Sequence, residues 1–155
     1  MLRALETNLV DSVQVVHNIF DQAPEDVLFE VCARQGIGVI ARVPFDEGSL
    51  TGTLTPQSRW PDGDFRNSYF QPPKLEETLA RVAPLKAMTD AWGESLPGVA
   101  LRFVLAHPAV TTVIPGMRAM ANVEANLSVS GKPLSASQLA ALRAFRWDRE
   151  PDHRP

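Results

Sequence analysis

Three short runs of β-branched and apolar residues, each followed by residues at helical spacing, constrain this chain's fold more than any other feature. The first run, VDSVQVVHNIF (Val10 to Phe20), lacks strict alternation of apolar and polar positions. That pattern predicts a strand buried on both faces, as in a parallel sheet covered by helices. Pro24 then opens a predicted helix, at a position where its missing N–H costs nothing. Val27, Leu28, Val31 and Cys32 follow at helical spacing, and Gly36 is the expected C-cap. The second run, IGVIARVPF (Ile37 to Phe45), completes a strand–helix–strand crossover.

The stretch from Asp46 to Pro73 breaks the rhythm, with Gly48, Gly52, Pro56, Pro61, Gly63, Pro72 and Pro73 among Trp60, Phe65, Tyr69 and Phe70. A loop of this length in a compact domain reads in two ways, as a lid or binding loop, or as an aromatic-anchored surface excursion. Helical spacing resumes from Lys74 to Met88 through Leu75, Leu79, Val82 and Leu85, perturbed at Pro84. Ser95 is placed to cap a further helix, with Pro97 in its first turn, ending at His107 before Pro108. Thr111 to Ile114 reads as the third strand, and a helix with Val123 and Leu127 facing inward follows. The last helix carries a capping box, Ser135 and Gln138, and a hydrophobic staple, Leu134 and Leu139, ahead of Leu142 and Phe145. The segment from Trp147 to Pro155 is polar and expected to fray, so the domain is drawn at 1–147 with a tail at 148–155.

Alternating strands and helices argue for a parallel α/β sheet. Three strands cannot close a barrel, which takes eight strands and usually about 250 residues. The sequence therefore describes either a small open sheet or a piece of something larger. Net charge is −3 and the pI about 5.6, so nothing electrostatic points to nucleic acid or an anionic membrane. Cys32 is the only cysteine, which excludes disulfide frameworks and cysteine-rich metal sites. No stretch approaches the roughly 20 apolar residues of a membrane span, and the N-terminus lacks a signal architecture, so a cytoplasmic location is expected.

Four segments, taken in order, resemble the aldo-keto reductases, NADPH-dependent (β/α)8-barrel enzymes that reduce carbonyls. Val10 to Gln22 is similar to that family's sixth strand, and GVIARVPFDEGSLTGT (Gly38 to Thr53) to its seventh strand and cofactor loop. Ala100 to Leu127 is similar to the helix, eighth strand and nucleotide-clamping helix, and PLSASQLAAL (Pro133 to Leu142) to the closing helix. The implied fold is a partial TIM barrel, its last three strands with their helices.

The resemblance also implies a binding site for NADP. Gln14 stands where the family places an amide that pairs with the nicotinamide carboxamide, which an amide can do as both donor and acceptor. Gly48, Leu50, Thr51 and Gly52 lie in the segment that wraps the pyrophosphate, where glycine lets backbone N–H groups approach phosphate. Gly116, Met117, Arg118, Asn122 and Asn126 align with the region that holds the adenosine 2′-phosphate and adenine. A strand end running into a helix N-terminus suits an anion, and Arg118 adds a planar guanidinium. Arg42 replaces the aromatic that usually stacks on the nicotinamide, and Ala125 replaces a glutamate near the adenine. Asp46 and Glu47 put two negative charges in the pyrophosphate loop, tolerable only if their side chains point to solvent.

The family's catalytic Asp, Tyr, Lys and His lie on strands that precede the segment matched here, so no catalytic residue is assigned. Tyr69 is the one tyrosine and falls in the long loop, and His17, His107 and His153 are expected to pack or cap; no metal site is evident. Two functions are therefore open. One is the cofactor-binding part of a carbonyl reductase completed by an N-terminal half-barrel. The other is a non-catalytic nucleotide-binding or interaction module derived from the family.

Overall fold

β-branched side chains suit a pleated strand better than a helical turn, and the three runs form β1 (Ser12–Val16), β2 (Gly38–Arg42) and β3 (Val110–Ile114). The computed structural model describes residues 1–147. All strands are parallel, in the order β1-β2-β3. Helix α1 (Leu2–Leu5) precedes them; α2 (Leu28–Gln35) joins β1 to β2, and α3 (Arg66–Tyr69), α4 (Lys74–Ala91) and α5 (Leu96–Leu105) lie between β2 and β3. After β3 come α6 (Met120–Leu127) and α7 (Ala136–Arg143).

The apolar spacing of the helices decides which face of the sheet is covered. In α5, Leu96, Val99, Ala100, Phe103 and Val104 recur at intervals of three and four and are all buried. They meet Ala41 of β2, Leu85 of α4 and Leu142 of α7 in one core, while Val13, Val39, Phe29 and Cys32 form a second under α2. The other face carries Ser12, Gln14 and Val16, paired level by level with Gly38, Ile40 and Arg42. Ser12 and Gln14 are exposed there. The expectation of a first strand buried on both faces is thus wrong: only one face has helices against it, and the strand ends at Val16 rather than Phe20. A register shift at Val39 leaves Thr111 unpaired on β3, and its Oγ1 accepts the Val39 N–H at 3.1 Å.

Several other boundaries move. Pro24 sits in a separate 3-10 turn (Ala23–Glu25), and α2 begins only at Leu28; Val27 has φ −143° and is half exposed. Gly36 caps α2 as expected, in the left-handed conformation at φ 69°. Helix α4 continues past Met88 to Ala91 with Pro84 inside it. Ser95 occupies the N-cap position of α5 but its side chain makes no capping hydrogen bond. Leu127, expected to face inward, is 61% exposed, and no residue of α6 is buried. The capping box of α7 forms, with Ser135 and Gln138 bonded reciprocally. Trp147 does not fray: its N–H donates to the Phe20 carbonyl at 2.9 Å, its ring meets Phe20 edge-on, and Arg81 lies over it. The expected tail at 148–155 lies outside the described residues.

Candidate functional site

Parallel strands end together, so the loops after β1, β2 and β3 gather at one edge of the sheet, where α/β folds place their ligands. The loop after β2 is tightly built. Val43, Asp46 and Glu47 all take positive φ (56°, 48° and 56°), and Gly48 has φ 104°. Asn18, buried after β1, donates its Nδ2 to the Val43 carbonyl at 3.1 Å. A 3-10 helix (Asp46–Thr51) follows, with Leu50 buried in the core as its anchor. Asp46 does not point to solvent; it is buried and accepts the Ser49 hydroxyl at 2.6 Å.

Beside this loop is an open cleft of about 610 Å³, lined by Val43, Phe45, Glu47, Gly48, Gly63–Arg66 and Gly116. It joins the loop after β2, the long loop and the end of β3. Its charges are mixed. Asp64 accepts from Arg66 Nε at 3.0 Å and Nη2 at 2.6 Å, and also from the Arg66 backbone N–H at 3.0 Å. These bonds, helped by Arg118 nearby, hold the Asp64 carboxyl down at about 2. Glu47 adds a second negative charge within reach of Arg66.

The predicted site residues divide into those that converge and those that do not. Gly48 and Gly116 line the same cleft. Asn126 donates to the Gly116 carbonyl at 3.2 Å, tying α6 to the segment after β3, while Arg118 contributes only a weak longer-range pull on Asp64. Gln14 and Arg42 share the uncovered face of the sheet, on adjacent strands and two residues apart in register. Met117 and Asn122 are exposed near the start of α6. Leu50 and Gly52 turn away from the cleft: Leu50 fills the core, and a Cβ on Gly52 would meet Lys86 at 3.4 Å and Leu96 at 3.5 Å. The N–H groups of Gly48 and Leu50 both donate to the Phe45 carbonyl, and that of Gly52 to Ser49.

Sequence reasoning missed Asp64, Arg66 and Asn18. The turn chemistry of Asp62-Gly63-Asp64 was the available signal that this stretch is ordered. The long loop is indeed organised, with Trp60 stacked on Phe70 at 5.3 Å and Asn67 bonded to the backbone of Trp60 and Pro61. It is anchored by aromatics, and its Gly63–Arg66 segment walls the cleft.

His17 and His107 have partners within the fold. His17 is fully buried, with Nε2 2.9 Å from Glu25 and its ring stacked on Phe103. His107 Nδ1 accepts the Ala109 N–H at 3.2 Å. His153 lies outside the described residues. Among the described residues no group of His, Cys, Asp and Glu is arranged to hold a metal, and no helix is long and apolar enough to cross a membrane.

Comparison with known proteins bears on this geometry. The model of the aldo/keto reductase family matches residues 3–146. Over 145 residues the chain is 28% identical to a probable pyridoxal reductase 2 of Schizosaccharomyces pombe, covering 88% of this chain and 44% of that protein. Over 140 residues it is 25% identical to the NADH-specific methylglyoxal reductase of Escherichia coli, covering 90% and 43%. The solved glycerol dehydrogenase of Gluconobacter oxydans superposes with a TM-score of 0.78 at 21% identity, covering 99% of this chain and 49% of that one. The chain thus spans about half the length of the relatives it matches, and its three parallel strands are part of a barrel.

Proposed function

Because the chain belongs to the aldo/keto reductase family, we propose that residues 1–147 are the cofactor-binding part of an NADP-dependent carbonyl reductase. On this reading the catalytic acid and its partners come from the other half of the barrel. The observation that carries it is the cleft at the strand ends, where Gly48, Gly116 and the long loop meet, Arg118 following two residues after Gly116.

The donor set fits the anionic end of a dinucleotide. Gly116 is exposed, with no atom within 4 Å of where a Cβ would stand. Helix α6 starts without a side-chain cap, and while the Asn122 N–H bonds the Ala119 carbonyl, those of Met120 and Ala121 would be the donors for an anion. Arg118 would grip the 2′-phosphate with a planar fork. The pyrophosphate segment fits less readily, since the N–H groups of Gly48, Leu50 and Gly52 are already bonded within the loop. Contact through them requires the loop to reopen.

When bound, a nicotinamide dinucleotide supplies the hydride for carbonyl reduction. On the uncovered sheet face, Gln14 would pair with the carboxamide and fix which ring face is presented, and the Arg42 guanidinium would lie flat against the ring.

Titration with NADP and NAD, on the parent and on Arg118→Ala, tests the reading. We expect dissociation constants on the order of 0.1–1 mM and a ten- to hundredfold preference for NADP, roughly the worth of one charge-assisted contact. The preference should vanish in Arg118→Ala. The Escherichia coli relative is NADH-specific, so selectivity has to be measured in this chain. Equal affinity for both cofactors, in a folded parent, would sink the assignment.

A further inference from the structure

Asp64 and Arg66 of the long loop line the same cleft as Gly116, two residues before Arg118 in the chain. Arg66 binds Asp64 through Nε and Nη2, and the positive charge of Arg118 adds a weaker, longer-range pull on the same carboxylate. The Asp64–Arg66 pair is partly open to solvent, with side chains 22% and 35% exposed. The pair closes a local Asx-type turn, which fixes the guanidinium while leaving it partly open to the cleft.

A carboxylate and a phosphate present similar oxygens to a guanidinium fork. We propose that Arg66 is a second guanidinium of the cofactor's 2′-phosphate site, and that Asp64 is the internal counter-ion holding it there until that phosphate arrives. The inference rests on the cofactor reading and adds to it a residue from the long loop. The incoming phosphate carries nearly two negative charges and three acceptor oxygens, against one charge and two oxygens on Asp64. It displaces the carboxylate from Arg66 without uprooting the guanidinium, which lies over the Trp60 ring at 5.5 Å. The backbone is braced independently, since Asn67 ties Trp60 and Pro61 together. Asp64 and Glu47 repel the phosphate at the same time, so the site is tuned below its greatest affinity.

The two partners are predicted to have opposite effects, which a purely structural pair cannot produce. The probes are 2′-AMP and adenosine, titrated against the parent, Arg66→Gln and Asp64→Asn, each checked for fold by circular dichroism. Arg66→Gln should weaken 2′-AMP binding roughly tenfold and leave adenosine unchanged. Asp64→Asn should strengthen 2′-AMP binding severalfold. Loss of affinity in both variants alike, or no change in either, would overturn the role of Arg66 while leaving the Arg118 assignment standing. A folded parent that binds 2′-AMP no better than adenosine would remove the cofactor reading and this inference together.

Discussion

Asn18 Nδ2 donates to the carbonyl of Val43 at 3.1 Å, and Val43 has φ 56°, a conformation β-branched residues rarely adopt. The same Asn18 side chain accepts the N–H groups of Phe20 and Asp21, both at 2.9 Å. One buried amide thus joins the end of β1 to the strained turn that opens the cleft. Asn18→Ala should cost about 2–3 kcal/mol, because it strands buried backbone groups. Val43→Gly should stay within about 1 kcal/mol of the parent, since relief of strain offsets the lost side chain. Chemical denaturation of both variants measures this. A Val43→Gly loss as large as that of Asn18→Ala would contradict the strain argument.

Acid should unfold the chain in two stages. Burial holds the His107 pKa below its ordinary 6.5, so the stability it contributes is complete above that value and is lost as pH falls through the folded pKa. Burial pushes the Glu25 carboxyl up, but hydrogen bonds from His17 and Arg143 outweigh it, leaving its pKa below 4.5. Its contribution is present above 4.5 and lost as pH falls through the lower folded value. Glu25→Gln should cost about 1–2 kcal/mol near neutral pH, discounted because Arg143 is half exposed, and should flatten the second stage. Melting temperatures between pH 7 and 3 check both; an unchanged acid limb in Glu25→Gln rules the mechanism out.

Helix α5 packs closely at Gly98, where a Cβ would stand 2.8 Å from Ser95 Oγ and 3.1 Å from Val129 Cγ1. Gly98→Ala gains helix propensity of up to about 1 kcal/mol, but the clash, typically about 1–3 kcal/mol, should win. Adding Ser95→Ala removes the closer contact and should recover part of the loss. A stabilised single variant would show that the segment around Val129 yields freely.

The 155-residue chain by itself should reduce no carbonyl above background with NADPH. On the proposed reading it holds no general acid, a group that commonly contributes about 10²–10⁴-fold. Tyr69 packs edge-on against Phe70, with Lys74 over its ring at 3.4 Å from the centroid. Following NADPH oxidation with an activated aldehyde at high protein concentration tests this. Turnover that Tyr69→Phe abolishes would overturn it.

Much of the fold was legible because it depends on local chemistry. The three β-branched runs, the left-handed cap at Gly36 and the Ser135–Gln138 capping box each act within a few residues, so their order in the chain carries the information. The errors fell where a distant neighbour decides. Val10 to Phe20 reads the same whether one face of the sheet is covered or two, and Trp147 looks like a polar tail until Phe20 and Arg81 meet it.

The candidate site divides along the same line. Gly48, Gly116 and Arg118 were named through the resemblance to the family's motifs after strand ends, and Gly48 and Gly116 do line one cleft. Asp64 and Arg66 could not be named, because the long loop has no periodicity to say which part folds back on the cleft. That Leu50 faces the core and Asp46 is buried likewise follows from how the loop after β2 seats against α4 and α5. Sequence by itself determined the elements and their order, through backbone and side-chain preferences that act over a turn or a strand. Tertiary structure alone decided which charges share a cleft, since only packing brings Glu47 of the loop after β2 beside Asp64 and Arg66 of the long loop.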